Sequence, residues 1–127
     1  MSNKTTIATD KAPGAIGPYA QAIKTEQFIY TSGQLPIDMA TGEIESGDIK
    51  KATKHCLDHV KMILEENGSS MSAVVKTSVF ITDINDFAAV NEVYGTYFPS
   101  NPPARSCVQV AALPKGAKIE IEVIALV

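Results

Sequence analysis

The stretch KIEIEVIALV, residues 118–127, alternates with a period of two and so reads as a β-strand. One face carries Ile119, Ile121, Val123 and Ala125. The other begins with Lys118, Glu120 and Glu122 but continues with Ile124 and Leu126. A sheet covered on one side should show water a polar opposite face. Here that second face is half apolar, and VVKTSVFI (74–81), rich in β-branched residues, alternates just as weakly. Burial of the second face against further copies of the chain is the favoured reading, and packing beneath the N-terminal segment is the alternative.

The neighbouring elements supply the rest of the fold. Between residues 48 and 67, Ile49, Ala52, Cys56, Val60 and Ile63 recur at helical spacing, widened by Leu57 and Leu64. Asp48 can cap the first turn, and Gly68 stands where a left-handed stop is favoured. A second helix is predicted over 85–98, with Phe87, Val90, Tyr94 and Tyr97 on one face, Asp83 or Asn85 as cap, and Pro99 as its end. Short strands are predicted at 5–9, 20–24 and 27–34, the last two as a hairpin. Strands at 106–112 and 118–126, joined by LPKGA, read as a closing hairpin. The order β-β-β-α-β-α-β-β puts two helices on one face of a mixed sheet, an α+β two-layer sandwich in a single domain spanning 1–127.

With 127 residues, 45 % of them hydrophobic and 20 % charged, the chain belongs with soluble globular proteins. A net charge of −3 and scattered lysines argue against nucleic acid, which calls for a clustered positive excess. No apolar run has the length of a signal peptide or a membrane span, so a cytoplasmic location is expected. The two cysteines, Cys56 and Cys107, are expected as free thiols.

The stretch PPARSCVQV (102–110) holds the chemistry-bearing candidates. Arg105 sits where a loop becomes a strand, with Pro102 and Pro103 stiffening its approach; a guanidinium on a rigid support can grip a carboxylate through two parallel hydrogen bonds. A surface arginine at a strand end is the plain alternative. Cys107 would share a strand face with Arg105, whose charge lowers a thiol pKa, but no histidine base is near in sequence. Glu120 is the natural companion of Arg105 if the closing hairpin pairs in one register, and lies on the other face in the alternate register. Ser32 and Gly33 in TSGQLP offer backbone groups and close approach at a strand end, or a strand-end bulge. His55 and His59 are one helical turn apart without a third ligand at suitable spacing; they read as rim residues, with His55 nearer solvent, and no metal is expected. Phosphate-loop and dinucleotide motifs are absent, so no nucleotide cofactor is implied.

GPYAQA (17–22), TSGQLP (31–36), VVKTSVFITDINDFAAVNEVYGTYF (74–98), PARSCVQV (103–110) and LPKGAKIEIEVIAL (113–126) together resemble the RidA (YjgF) family of reactive intermediate deaminases. The resemblance spans nearly the whole chain in the same order. It implies a chorismate-mutase-like fold, a homotrimer around a central barrel, and cofactor-free sites in clefts between subunits. The implied reaction is hydrolysis of 2-imino acids such as 2-iminobutanoate and 2-iminopropanoate to 2-oxo acids and ammonia. Pyridoxal-phosphate enzymes such as threonine or serine dehydratase would be metabolic rather than bound partners. By the same resemblance Arg105 matches the carboxylate-binding arginine and Glu120 the water-positioning glutamate. Tyr19, Ser32, Gly33, Asn91 and Cys107 match residues lining the cleft, the cysteine mainly through its backbone. Gln109, Ala112 and a short 99–102 loop depart from the family pattern. A non-catalytic carboxylate-binding module and a ribonuclease are the rival readings.

Overall fold

The computed structural model describes residues 3–127. Six strands form one mixed sheet: β1 (Thr5–Ile7), β2 (Ala22–Lys24), β3 (Phe28–Thr31), β4 (Val74–Ile81), β5 (Ala104–Gln109) and β6 (Ile119–Leu126). Two helices, α1 (Ile49–Glu65) and α2 (Phe87–Tyr97), cover it. The spatial order is β1-β2-β3-β6-β4-β5, antiparallel throughout except for the parallel pair β4–β5. The crossovers β3–α1–β4 and β4–α2–β5 run in the same direction across the sheet, so their common handedness delivers both helices to one face. The two-layer α+β architecture is as the sequence predicts.

α1 forms where its apolar stripe says it should. The Asp48 carboxylate accepts hydrogen bonds from the N–H groups of Lys50 (2.9 Å) and Lys51 (3.3 Å), satisfying two orphan donors of the first turn. Gly68, at φ 78°, turns the chain away after the last turn, and the Ser69 N–H returns to the Leu64 carbonyl at 2.9 Å. The stripe packs on Ile119, Ile121, Val123 and Ala125 of β6, all 2 % exposed or less. β6 thus runs through the middle of the sheet, where its alternation fits best.

The closing hairpin is a correction. β5 and β6 do not pair, because β4 lies between them. The segment between β5 and β6 carries the chain across the end of β4, which then pairs with β5 on one side and β6 on the other. β5 is left as a sheet edge. The opposite face of the sheet carries Phe28, Tyr30, Phe80, Val108, Ile124 and Leu126, with Tyr30, Val108 and Leu126 exposed in the single chain. This is the two-sided apolarity already visible in the last strand. Among the described residues no helix is long and apolar enough to cross a membrane.

Candidate active site

Strand register settles where the candidate residues point. In the parallel pair, Thr77 faces Arg105 and Val79 faces Cys107, and both partners are buried on the helix side. Arg105 and Cys107 therefore project toward the helices. In the antiparallel pair Phe80 faces Glu120, which places Glu120 on the bare side of the sheet. Glu120 and Arg105 belong to strands separated by β4, roughly 10 Å apart, and point in opposite directions. One chain does not bring them together.

Arg105 is held in an aromatic box. Its Nη1 donates to Asn91 Oδ1 at 2.7 Å. Its guanidinium carbon lies 4.7 Å from the Tyr94 ring centroid and 5.4 Å from that of Phe87, within the range of cation–π attraction. Tyr94 is fixed in turn by a 2.8 Å hydrogen bond between its hydroxyl and that of Thr77. Asn91 sits one turn after Phe87 and nearly one turn before Tyr94, so a single face of α2 supplies all three. Among the described residues no carboxylate forms an ion pair with Arg105. The plain reading, a solvated arginine at a strand end, does not fit a cation so thoroughly positioned.

Cys107 is half-buried beside it. Burial pushes the thiol pKa up, and the Arg105 charge only partly opposes that, so a reactive thiolate is not stabilised. Its backbone is better placed. The Val110 N–H bonds the Ile81 carbonyl at 2.8 Å, so by alternation the even-numbered residues of β5 face β4. The N–H and C=O of Arg105 and Cys107 point away from the sheet along its free edge. Cys56 is fully buried, donates weakly to the Ile119 carbonyl at 3.8 Å, and is held protonated by desolvation.

The second cluster forms around Glu120. The chain pairs Tyr30 with Ile124 and later Gln34 with Ile121, so Ser32 and Gly33 together oppose Glu122: a bulge. The Gln34–Ile121 pair is doubly hydrogen-bonded, at 2.7 and 3.1 Å. At Gly33 the missing side chain makes the room that Glu120 occupies: a Cβ there would stand 2.6 Å from Glu120 Cδ. The Glu120 carboxylate lies across that glycine. No hydrogen bond from another described residue reaches it, and its pKa is raised above 4.5 first by burial and then by the neighbouring charge of Glu122. The Gly33 backbone is likewise without an internal partner. Ser32 Oγ donates to the Ala20 carbonyl at 2.6 Å, and the Tyr19 hydroxyl accepts from the Ile16 N–H at 3.4 Å. Tyr19, Ser32, Gly33 and Glu120 line one cleft of about 700 Å³, whose walls include Ile16, Leu35, Ile37, Met39 and Pro114.

The structure thus sorts the seven predicted residues into two half-sites. Arg105, Asn91 and Cys107 stand at the β5 edge, and Tyr19, Ser32, Gly33 and Glu120 at the bulge. Tyr94 and Phe87 belong with the first half and were legible in the sequence only as core residues. Gln109 has a structural reason: its Oε1 accepts the Ile84 N–H at 2.8 Å and so anchors the approach to α2. His59 corrects the expectation of a rim residue. It is 3 % exposed, with Nε2 2.7 Å from the Ile37 carbonyl, and its ring is parallel to that of His55 at 6.3 Å.

A two-layer α+β sheet protein with an arginine half-site on one edge and a carboxylate half-site over a glycine bulge defines the class. Residues 9–127 match the family described as Endoribonuclease L-PSP, and the chain belongs to that family, the YjgF/RidA family. A RutC family protein of Pyrococcus abyssi is 54 % identical over 96 % of each chain. The human 2-iminobutanoate/2-iminopropanoate deaminase is 51 % identical, over 94 % of this chain and 88 % of that one. The structure of Escherichia coli TdcF with bound serine superposes with a TM-score of 0.92 at 47 % identity, covering 97 % of this chain and 98 % of the other.

Proposed function

We propose that the protein hydrolyses small 2-imino acids, such as 2-iminobutanoate and 2-iminopropanoate, to 2-oxo acids and ammonia, in sites built between copies of the chain. The observation that carries the reading is Arg105: a stacked, hydrogen-bonded guanidinium at a free edge with no carboxylate of its own. Such a group is prepared for an external carboxylate. The half-apolar bare face of the sheet supports association, and the human deaminase and serine-bound TdcF among the relatives support the substrate class. A homotrimer is the assembly this reading adopts.

In that assembly Arg105 of one copy fixes the substrate carboxylate while Glu120 of the next faces the imino carbon. The outward backbone of Cys107 and the unpartnered Gly33 N–H flank the imino group. Water adds to the iminium carbon as Glu120 takes one of its protons. The resulting carboxyl returns that proton to the amino nitrogen of the carbinolamine. Collapse of the hydroxyl to a carbonyl then breaks the C–N bond, and the hydroxyl proton passes to the departing ammonia, which leaves as ammonium together with the 2-oxo acid. The raised pKa of Glu120, due first to burial and then to Glu122, makes it a better proton acceptor than an ordinary carboxylate, as suits a group that must both take and return a proton. The iminium is already electrophilic, so positioning supplies most of what is needed.

The test couples threonine dehydratase, threonine and semicarbazide, which traps free imine. A dose-dependent fall in semicarbazone, absent with Arg105→Ala of unchanged assembly, is the expected result. Full activity in that variant removes the assigned role. No effect of the wild type on any small imine, with 2-oxobutanoate still bound, indicates a carboxylate-binding module instead. The net charge of −3 does not favour the ribonuclease named in the family description.

A further inference from the structure

The wall of the Glu120 cleft is a separate piece of structure. Residues 35–44 fold back as a tight hairpin. Ile37 bridges Ile44, the Asp38 N–H bonds the Glu43 carbonyl at 2.8 Å, and the Gly42 N–H bonds the Asp38 carbonyl at 2.7 Å. Gly42, at φ 76°, makes the reversal. Leu35, Ile37, Met39 and Gly42 of this hairpin line the cleft opposite Glu120, and Met39 is 46 % exposed. Almost all of its hydrogen bonds are internal. Among the described residues two reach it from outside: the N–H of Glu45, the next residue along the chain, to the Pro36 carbonyl at 2.9 Å, and, from the body of the protein, His59 on α1 to the Ile37 carbonyl at 2.7 Å.

A carbonyl can only accept, so Nε2 of His59 carries the proton. The ring is buried and held neutral by desolvation, which outweighs the backbone hydrogen bond. No function described so far uses this group. A buried imidazole spent on one carbonyl of one loop is a costly choice unless the position of that loop matters.

We propose that His59 is a positioning residue for the cleft: by holding the Ile37 carbonyl it fixes the 35–44 hairpin as the apolar wall facing Glu120, and so sets the size of side chain the site accepts. The inference rests on the deaminase reading for its substrate. Its mechanical part stands on the geometry alone.

The experiment compares wild type, His59→Leu and His59→Gln. Leucine keeps bulk and removes the donor; the glutamine amide nitrogen can occupy the place of Nε2 and is the rescue. Hydrogen exchange of the amides of Asp38, Gly42 and Glu43 needs no turnover. It should quicken about tenfold in the leucine variant, as expected when a buried carbonyl loses its donor, and return toward wild type with glutamine. Dissociation constants for 2-oxobutanoate and 4-methyl-2-oxopentanoate should both rise, and the latter more, because its branched end reaches the wall. In the imine assay KM should rise with kcat little changed, since neither Arg105 nor Glu120 is displaced.

Unchanged exchange overturns the tether. Faster exchange with unchanged binding of both 2-oxo acids overturns its role in the cleft. If His59→Leu does not fold, the Nε2 proton of wild-type His59 decides: slow exchange with the Nε2–H tautomer upholds the tether, and exchange as fast as in an exposed imidazole overturns it. Absence of turnover in the wild type would strike the deaminase reading alone, because exchange and 2-oxo acid binding are read without it.

Discussion

Arg105 and Glu120 on opposite sides of one sheet make a quantitative prediction about mixed assemblies. On the proposed reading, Arg105→Ala removes the carboxylate clamp and leaves Glu120 untouched; Glu120→Ala does the reverse. Each variant alone has every site defective and should be inactive. When the two are unfolded and refolded together at equal amounts, a site takes its Arg105 half from one copy and its Glu120 half from a neighbour. The first is intact with probability about one half and so is the second, so about a quarter of sites in closed rings are whole. Specific activity in the semicarbazide assay should recover to about 25 % of wild type. It should peak at equal mixing and fall off on either side as the product of the two fractions. Two affinity tags, one on each variant, verify that mixed assemblies have formed. Inactive mixtures that carry both tags would refute the shared site. A single variant with full activity would refute the residue's role.

Gly33→Ala should lower kcat/KM by about a hundredfold, because clearing a 2.6 Å contact moves the Glu120 carboxyl by about 1 Å. Melting temperature should change by less than about 4 °C, since the displaced atoms are the end of a flexible side chain, and adding Glu120→Ala, which removes those atoms, should lower it no further. Tyr94→Leu removes a face of the Arg105 box and should cost about tenfold in kcat/KM; Tyr94→Phe keeps the ring and should lose about 1 kcal/mol of stability with the Thr77 bond, read by denaturant unfolding. Glu122→Gln removes the second cause of the raised Glu120 pKa, so the acid limb of the pH–rate profile should move to lower pH. For His59 the folded pKa lies below the ordinary 6.5, with His55 and Asp58 as its charged neighbours. Its contribution to stability is therefore present in full above about pH 6.5 and is lost as pH falls through the lower folded value. A melting-temperature series in that window should flatten in His59→Gln.

The sheet and helices were legible wherever a residue's neighbours are local in sequence. The α1 stripe, its Asp48 cap and its Gly68 stop depend on contacts within a few turns, and the structure carries all three. The two-sided apolarity of β6 was legible for the same reason. Its partner was not: alternation says which residues share a face, but not which strand lies alongside. A neighbour in sequence is the natural guess for a strand that follows a short loop. Here β4 takes that place, because the crossover through α2 sets β5 down parallel beyond it. That single rearrangement removes the register question about Glu120 and Arg105, since residues on strands that do not touch cannot be compared by hairpin parity.

The candidate site was read through the resemblance more than through spacing, and its two halves show why. Arg105 meets Asn91 across fourteen residues and a change of element, and Glu120 lies over Gly33 across most of the chain. Neither contact leaves a periodic trace. His59 is the clearest case of what periodicity misses. Its angle on α1 puts it at the edge of the apolar stripe, where solvent is the default neighbour, and only the folded 35–44 hairpin converts that edge into buried space. The burial of a polar residue is then set by a loop in which DMATGE, residues 38–43, reads merely as a turn. A positioning residue of this kind becomes visible when the question is asked of the hairpin: which of its carbonyls the rest of the protein holds, and with what donor.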